Sequence, residues 1–319
     1  PKTARLGGVE RLRVSSQSLK RAWRTSEAFQ KEFSGSIGTR TRRLGIEVFE
    51  ALKAKGVAEK KAKDWAEEIA KEYGALRKKA PLEIQQPVHV APEERKTLDD
   101  LVSKLAEEKR GPKKEELESL LHDHTAVDIA MFGRMLASKT EFNGEAAVQV
   151  AHAIGVHASA VEDDYFTAVD DLNRNGPEAA YVGEAGFAAA VFYQYVCIDR
   201  DLLKKNLGNV EALTEKAIKT LVKTALTVGP TGKQNSFASR AYAHYALVEK
   251  GTQQPRSLSL AFVRPVNGAD YAQEAITALS TVRKNMDMVY GACSDAHEEF
   301  NVLTGQGSLE ALLQFAAKE

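Results

Sequence analysis

The sequence predicts a protein of the α+β class, and three features of the chain indicate it. A short β-type stretch, RLRVS, runs directly into a helix whose first residues are serines. A charged segment from about 40 to 125 has the periodicity of amphipathic helices. Beyond residue 125, apolar runs of strand length are separated by loops and by helical patterns.

The first helix is predicted from about 16 to 26, with Ser15 or Ser16 as its N-cap. Leu19 and Trp23 form an apolar pair at i, i+4 spacing, which predicts the buried face of this helix. Basic side chains occupy its other faces: Lys20, Arg21 and Arg24.

The segment from about 40 to 125 is predicted to be a helical insertion. Prolines punctuate it, and Gly111-Pro112 ends the last helix before Lys113 restarts it. Two apolar stripes at helical spacing predict the faces that pack into a core. These stripes are Trp65, Ile69, Tyr73 and Leu76 in the first and Leu98, Leu101, Val102 and Leu105 in the second.

The second half of the chain supplies the other predicted strands. Apolar, partly β-branched runs at 146–157, 190–198 and 257–263 have the length of strands. Helices are predicted at 209–226 and at about 270–284, with further helix near the C-terminus. Between the first two strands lies a long polar excursion, and connections of that length are usually functional or disordered.

The order of these elements is typical of a known supersecondary pattern. With one strand before the first helix, the elements add up to βαββαβ, the split ferredoxin-like arrangement that RNA-recognition domains use. Neither aromatic motif of the usual RNA-recognition domain is present. The pattern therefore indicates a fold class and does not settle a function.

The charge of the chain is balanced overall but unevenly distributed. The 319 residues carry 44 basic and 44 acidic side chains, which excludes a uniformly basic coat for nucleic acid. Residues 1–43 nevertheless hold eleven Lys or Arg against three Glu. This asymmetry indicates either a contact with a polyanion or a solvated basic arm, and charge alone does not separate the two.

Composition also limits where the protein works. No apolar run approaches the roughly 20 residues of a membrane-spanning helix, so we expect no membrane contact. Cys197 and Cys293 are too few and too far apart for a disulfide framework or a zinc site, which favours a reducing, cytoplasmic location. The chain starts at Pro1 without a signal peptide, which predicts that it begins inside the gene product.

The serine-rich helix start is a candidate phosphate site. Unpaired backbone N–H groups, two hydroxyls and the charges of Lys20 and Arg21 together favour an anion. An ordinary capped surface helix would use the same serines, so this segment alone supports both interpretations.

Three other motifs contain residue types that could carry chemistry. "GPTGKQN" (229–235) lacks the first glycine and the final Ser or Thr of a P-loop, so nucleotide hydrolysis is rejected, although Lys233 could still meet a backbone phosphate. "AMFGRM" (130–135) could bring the basic Arg134 and the apolar Met135 to phosphate and base, or Met131 and Phe132 could pack in a core. "HDHTAVD" (122–128) lacks the spacing of a metal site, and no catalytic signature is present.

Five segments taken together resemble the backbone subunit of the type I-E CRISPR surveillance complex, Cascade (the CasC family). They are "RVSSQSLKRAWR", "VDIAMFGRM", "VAHAIGVH", "DDYFTAVDDL" and "FYQYVCID", in that order. The resemblance covers nearly the whole chain, most firmly residues 9–26 and 125–200.

The resemblance implies a protein shaped like a right hand. An RNA-recognition-like (ferredoxin-like) palm would comprise 1–39 and 125–319, a helical fingers insertion 40–124, and a β-hairpin thumb 163–186. Several copies would line one crRNA guide, and each thumb would kink the guide at regular intervals. The remaining bases would pair with target DNA in antiviral defence, with other Cascade subunits and a recruited helicase-nuclease as further partners.

The resemblance also implies particular contacts. Met135 would wedge at the kinked base, and Lys113 and Lys114 would meet incoming duplex DNA. The RNA-binding residues that it implies are Arg13, Ser15, Ser16, Gln17, Lys20, Arg21, Arg134, Met135, Phe166, Thr167, Val169, Lys233, Gln234 and Asn235.

The sequence departs from the family in two places. Leu117 and Leu120 stand where further basic residues are expected, which weakens the predicted DNA patch. The family's first strand and an Asn-Arg-Asp-Asp-type segment would precede Pro1.

The resemblance implies a non-catalytic ribonucleoprotein scaffold without cofactor or metal. The alternative is a metal-dependent ribonuclease subunit of a CRISPR effector, as in related type III subunits that cleave RNA with an acidic loop residue. Asp170 and Asp171 are the candidates, although carboxylates in hairpins commonly serve turns. A general coat for single-stranded RNA is a further alternative.

Overall fold

The computed structural model describes residues 1–136, 139–172 and 179–318. These residues form a mixed α/β fold with small sheets. The helices are α1 (Ser16–Arg24), α2 (Glu27–Glu32), α3 (Leu44–Ala54), α4 (Glu59–Tyr73), α5 (Pro92–Glu108), α6 (Lys114–Glu118), α7 (Val127–Phe132), α8 (Arg200–Asn206), α9 (Glu211–Thr227), α10 (Gln234–Phe237), α11 (Tyr271–Tyr290) and α12 (Leu309–Ala317). The strands are β1 (Thr3–Leu6), β2 (Val9–Val14), β3 (Thr39–Thr41), β4 (Leu76–Arg77), β5 (Ala80–Ile84), β6 (Val88–Val90), β7 (Val148–Val150), β8 (Ala153–Gly155), β9 (Glu162–Val169), β10 (Ala179–Phe187), β11 (Phe192–Tyr193), β12 (Val196–Ile198), β13 (Tyr245–Lys250) and β14 (Ala296–Asn301).

The described chain divides into two compact units, each assembled from separate stretches of sequence. The first unit holds Pro1–Ala22, Val150–Cys197 and Ala225–Ala316. The second holds Trp23–Gln149 and Ile198–Thr224, together with the residues from Ala317. No helix among the described residues has the length and apolarity that crossing a bilayer requires.

A four-stranded sheet in the first unit has the order β1-β2-β8-β11. Gly7 and Gly8 connect β1 to β2 with φ angles of 61° and 84°, the left-handed conformation that a tight two-residue hairpin loop favours. On β2, the guanidinium of the buried Arg11 donates to the carbonyls of Gly155 (2.9 Å) and Phe262 (3.1 Å). One side chain therefore ties β2 to β8 and to a distant part of the chain.

The strand predicted at 257–263 is wrong, because this segment contains a 3-10 helix at Ser259–Phe262. The N–H of Leu258 donates to the Tyr193 hydroxyl at 2.9 Å, and the N–H of Ser259 donates to Ser257 Oγ at 3.2 Å. These donors are satisfied by side chains and do not need a partner strand. Apolar residues of the segment enter the core of the first unit, which comprises Val156, Leu258, Phe262, Val266, Ala275 and Leu279.

The long excursion folds as an antiparallel hairpin. Strand β9 pairs with β10 from Glu162↔Phe187 to Val169↔Ala179. The tip of the predicted thumb, residues 173–178, lies outside the described residues. The flanking apolar runs each hold two short strands instead of one long strand: β7 and β8 in the first, and β11 and β12 in the second.

The second unit is organised around the helices predicted between 40 and 125. The second apolar stripe is confirmed, and the first is confirmed as far as Tyr73, since these residues lie in one core. Leu76 lies beyond the end of α4, in β4, and packs at the edge of that core. The break at Gly111-Pro112 is also confirmed, because α5 ends at Glu108 and α6 begins at Lys114. The two-stranded sheets β3–β6 and β4–β5 in this region were not predicted.

Candidate nucleic-acid interface

The start of α1 exposes polar side chains while it buries its apolar pair. Leu19 and Trp23 are buried, as their spacing predicted. Gln17 and Arg21 are exposed, whereas Lys20 is half-buried and desolvation lowers the pKa of its ammonium group. The outward side of this helix therefore carries an amide and a guanidinium, with a partly withdrawn ammonium beside them.

Two serines form the first turn of α1. The Ser15 carbonyl accepts from the N–H groups of Ser18 (3.0 Å) and Leu19 (3.1 Å), which places Ser15 at the N-cap position. Ser16 is buried, and its hydroxyl lies 3.5 Å from Gln17 Oε1. Just before this turn, the guanidinium of Arg13 contacts Nδ1 of His152 at 2.8 Å.

The segment after α7 exposes one apolar side chain to solvent. Gly133 ends the helix with φ = 78°, where an added Cβ would come within 2.9 Å of the Gly144 carbonyl oxygen. Two residues later the Met135 side chain is 86% exposed. The glycine turn thus leaves Met135 outside the core, whereas Met131 on α7 is buried, as the packing alternative for that residue predicted.

Arg134 behaves differently from its exposed neighbour. Its guanidinium is buried, and Nη1 donates to both carboxylate oxygens of Glu94 at 2.8 and 2.7 Å. Nε and Nη2 donate to the Phe142 carbonyl at 3.3 and 3.0 Å. All three nitrogens thus have acceptors within the protein, and this geometry argues against the direct RNA contact predicted for Arg134.

The predicted thumb residues are divided between the two faces of the β9–β10 hairpin. Phe166 lies opposite Gly183, and its ring is 6.0 Å from that of Tyr181. Thr167 lies opposite Val182, and by strand alternation it shares the other face with Val169. The eight residues of β9 are all exposed, so both faces are available for contacts outside the chain.

The loop that contains Lys233, Gln234 and Asn235 lies in the first unit with the hairpin. Lys233 has φ = 59° and immediately precedes the short helix α10. The rings of Phe237 on α10 and Phe187 at the end of β10 meet edge to face, with centroids 5.4 Å apart. Arg240, which was not predicted, lines the same shallow depression as Lys233 and Asn235.

The two lysines predicted to meet DNA are exposed at the start of α6. The N–H of Lys113 donates to Glu116 Oε2 at 2.9 Å, and Lys114 Nζ lies 3.7 Å from Glu118 Oε1. Leu120 is fully buried, and Leu117 packs against the same core. The leucines that depart from the family's basic pattern therefore contribute to packing in this chain.

Three of the acidic and histidine residues proposed as metal ligands have structural contacts. Asp170 Oδ1 accepts from the N–H of Leu172 at 2.9 Å, the geometry of an Asx turn. His122 Nε2 lies 3.1 Å from Thr97 Oγ1, and Asp128 is paired with Arg24. Within the part of the chain that the structure describes, no three His, Cys, Asp or Glu side chains are grouped as metal ligands.

Comparison with known proteins identifies the family. The sequence model of the CT1975-like protein family matches residues 1–318. This chain belongs to that family. No curated protein matches it.

Solved structures agree with this assignment. A chain of a "CRISPR RNA-guided surveillance complex, pre-nicking" has 26% sequence identity and a TM-score of 0.83, covering 99% of this chain and 94% of that one. A chain of a "CRISPR RNA-guided surveillance complex" has 22% identity and a TM-score of 0.71, covering 99% and 92%, and supports the fold alone. The resemblance to a Cascade backbone subunit that the sequence motifs indicated is confirmed.

Sequence reasoning missed three residues next to the predicted set: Glu94, Asn143 and Arg240. Glu94 lies on α5, forty positions before Arg134, and no local pattern connects the two. Asn143 Oδ1 accepts from the N–H of Leu136 at 2.5 Å. Only Arg240 had a signal in the sequence, since it is a basic residue seven positions after Lys233.

Proposed function

We propose that this chain is a multicopy, non-catalytic backbone subunit of a CRISPR RNA-guided surveillance complex, in which it binds the crRNA guide along its phosphates. The observation that carries the proposal is the match over 99% of the chain to a subunit of such a complex. A scaffold of this kind needs no chemistry of its own, because base pairing reads the target and the protein grips the backbone.

In this proposal the chain has the parts of a hand. The palm comprises 1–39 and 125–319 and has an RNA-recognition-like arrangement, and the fingers comprise 40–124. The thumb, 163–186, includes the β9–β10 hairpin, whose exposed strands support a role in contacts outside the chain. A two-stranded hairpin alone is marginally stable in water, so contacts with RNA or another copy would stabilise it. The thumb kinks the guide, and the unkinked bases pair with target DNA.

The phosphate contacts are assigned to the start of α1 and to one loop. Exposed amide and guanidinium groups at a helix start suit an anionic backbone. The assigned residues are Arg13, Ser15, Ser16, Gln17, Lys20 and Arg21, together with Lys233, Gln234, Asn235 and Arg240 in the loop.

The remaining contacts divide between bases, duplex DNA and other proteins. Met135, Phe166, Thr167 and Val169 would meet the kinked base and its neighbours, and Lys113 and Lys114 would meet duplex DNA. Further copies of the chain, other Cascade subunits and a recruited helicase-nuclease complete the partners. The ribonuclease alternative, with Asp170 and Asp171 as candidates, is supported by no observation in the described site, and the Asp170 carboxylate accepts the N–H of Leu172 in a turn.

The experiment is to co-express the chain with the proteins of its operon, purify the product and size its nucleic acid after RNase and DNase controls. We expect one short RNA of uniform length held with several copies of this chain. RNA of random length would support a general coat, and a monomer free of nucleic acid would overturn the proposal.

The same complex separates the scaffold from the nuclease. It would be incubated with a matched target RNA and magnesium, alongside a variant that carries both Asp170→Asn and Asp171→Asn. An intact target is expected for both proteins. Fragments at regular spacing that disappear in the variant would contradict a non-catalytic subunit.

A further inference from the structure

We propose that Glu94 and Asn143 are positioning residues that hold Met135 in its outward orientation, so that the methionine forms a rigid wedge. This inference rests on the proposed function, because a wedge has a purpose only where a guide base is displaced. It concerns two side chains that would not touch RNA themselves.

The first anchor lies immediately before Met135. Arg134 exchanges two backbone hydrogen bonds with Gly144, each 3.0 Å long. Its side chain enters the protein and meets Glu94, with side-chain exposures of 2% and 0%. Glu94 is itself fixed, since its Oε2 also accepts the N–H of Ala91 at 2.9 Å. A buried and fully hydrogen-bonded ion pair permits little rotation of the residue that carries it.

The second anchor lies immediately after Met135. The N–H of Leu136 donates to Asn143 Oδ1 at 2.5 Å. The Leu136 side chain is buried in the core of the second unit. Residues 134 and 136 thus both point inward, while the Met135 side chain between them is exposed.

This arrangement explains how an exposed methionine can act as a wedge. Methionine has three rotatable side-chain bonds, so on a mobile loop it would lose much conformational entropy on insertion between bases. Apolar wedges that kink nucleic acid must also oppose the cost of unstacking. Fixing the backbone on both sides removes part of the entropic cost before the guide binds.

The test uses the complex assembled on its guide and two separate readouts. The first readout is the amount of guide retained per copy of the chain. The second is the periodic reactivity of the guide toward dimethyl sulfate after the complex has paired with target DNA, since this reagent methylates A N1 and C N3 of bases that are left unpaired. The variants are Met135→Ala, Asn143→Ala and the double variant, with Asn267→Ala as the matched exposed-asparagine control.

We expect Asn143→Ala and Asn267→Ala, which remove no side chain proposed to meet RNA, to retain the guide. Met135→Ala and the double variant are compared with them at equal guide occupancy. Met135→Ala should flatten the periodic reactivity, and Asn143→Ala should lower it by roughly two- to tenfold, the range of one hydrogen bond. The double variant should resemble Met135→Ala alone, because the two residues act through one side chain. Asn267→Ala should resemble the wild type.

Glu94→Gln tests the other anchor, with a thermal unfolding scan to establish that it folds. It should lower the periodic reactivity in the same direction as Asn143→Ala. If Asn143→Ala kept the wild-type periodicity while Met135→Ala lost it, the positioning role would be overturned. The same holds if Met135→Ala itself changed nothing. Failure of the proposed function is a distinct result, since the wild-type protein would then retain no guide at all.

Discussion

Asp128 Oδ2 lies 3.1 Å from Arg24 Nη1, and the carboxylate is completely buried. Its other oxygen, Oδ1, accepts the N–H of Gly38 at 2.7 Å. The pair joins the last residue of α1 to α7, the helix that leads into the Gly133–Met135 segment. Desolvation raises the pKa of Asp128, while the hydrogen bonds from Gly38 and Arg24 act in the opposite direction. This carboxylate is therefore tolerated only because its partners are in place.

Asp128→Asn is expected to lower the free energy of unfolding by about 3–5 kcal/mol, because it leaves Arg24 without its countercharge in a buried site. Glu32→Gln is the matched control, since Glu32 pairs with Lys216 at 2.9 Å on an exposed surface. The control should change stability by no more than about 1 kcal/mol. Urea denaturation of both variants measures the difference, and equal small effects would mean that the buried pair contributes little.

His89 should make the protein less stable in acid. Burial, followed by the positive charges of Arg24, Arg40 and Arg134, lowers its pKa to about 3. The neutral ring accepts a hydrogen bond from Arg24 Nη1 at 2.8 Å. In the unfolded chain the pKa of this histidine is about 6.5. The neutral ring therefore stabilises the folded state fully above that pH, and this contribution is lost as the pH falls toward 3.

Because of His89, the free energy of unfolding is expected to fall by about 2 kcal/mol between pH 7 and pH 5. Because other groups also titrate, the measurement is the difference in unfolding free energy between the wild type and His89→Gln across that interval. Glutamine keeps an acceptor for Arg24 but does not titrate. A difference that stays constant with pH would show that His89 is not held neutral.

Replacement of Arg21 should weaken guide binding without regard to base sequence. A phosphate contact to a single strand contributes about 0.7 to the slope of log affinity against log salt, and Arg21→Ala should remove about that amount. Lys60→Ala removes the same charge from α4 and should leave the slope unchanged. A loss that depended on base identity would argue against a backbone contact at Arg21.

Replacement of Leu120 by the basic residue that the family pattern suggests should destabilise the protein. Leu120 is fully buried in the core of the second unit, so Leu120→Lys would bury a charge and lower the free energy of unfolding by about 3–5 kcal/mol. Lys114→Ala, at an exposed site, should leave stability unchanged and weaken duplex-DNA binding by the complex. Denaturant titration and a duplex-binding assay would separate the two effects, and a stable Leu120→Lys protein would contradict this account.

Local sequence patterns were sufficient to predict which faces of the helices are buried. The Leu19–Trp23 pair and the stripes on α4 and α5 lie where the 3.6-residue period placed them, because that period is a property of the helix itself. The strand prediction for 257–263 was wrong for the opposite reason. The side chains of Tyr193 and Ser257 accept the backbone hydrogen bonds that a neighbouring strand would otherwise accept. A contact with a residue sixty-five positions away has no trace in a local run of apolar residues.

The sequence by itself determined the buried stripes, the helix that starts at the paired serines and the motifs that carry the family resemblance. The tertiary structure alone decided that Arg134 points inward to Glu94 while Met135 points outward. In the sequence both residues follow Gly133 within two positions, and the arginine is the more obvious candidate for a phosphate. In the structure the arginine is buried and the methionine is exposed. A guanidinium can be buried when a carboxylate from a distant helix pairs with it, and the packing of α5 beside this segment supplies that carboxylate.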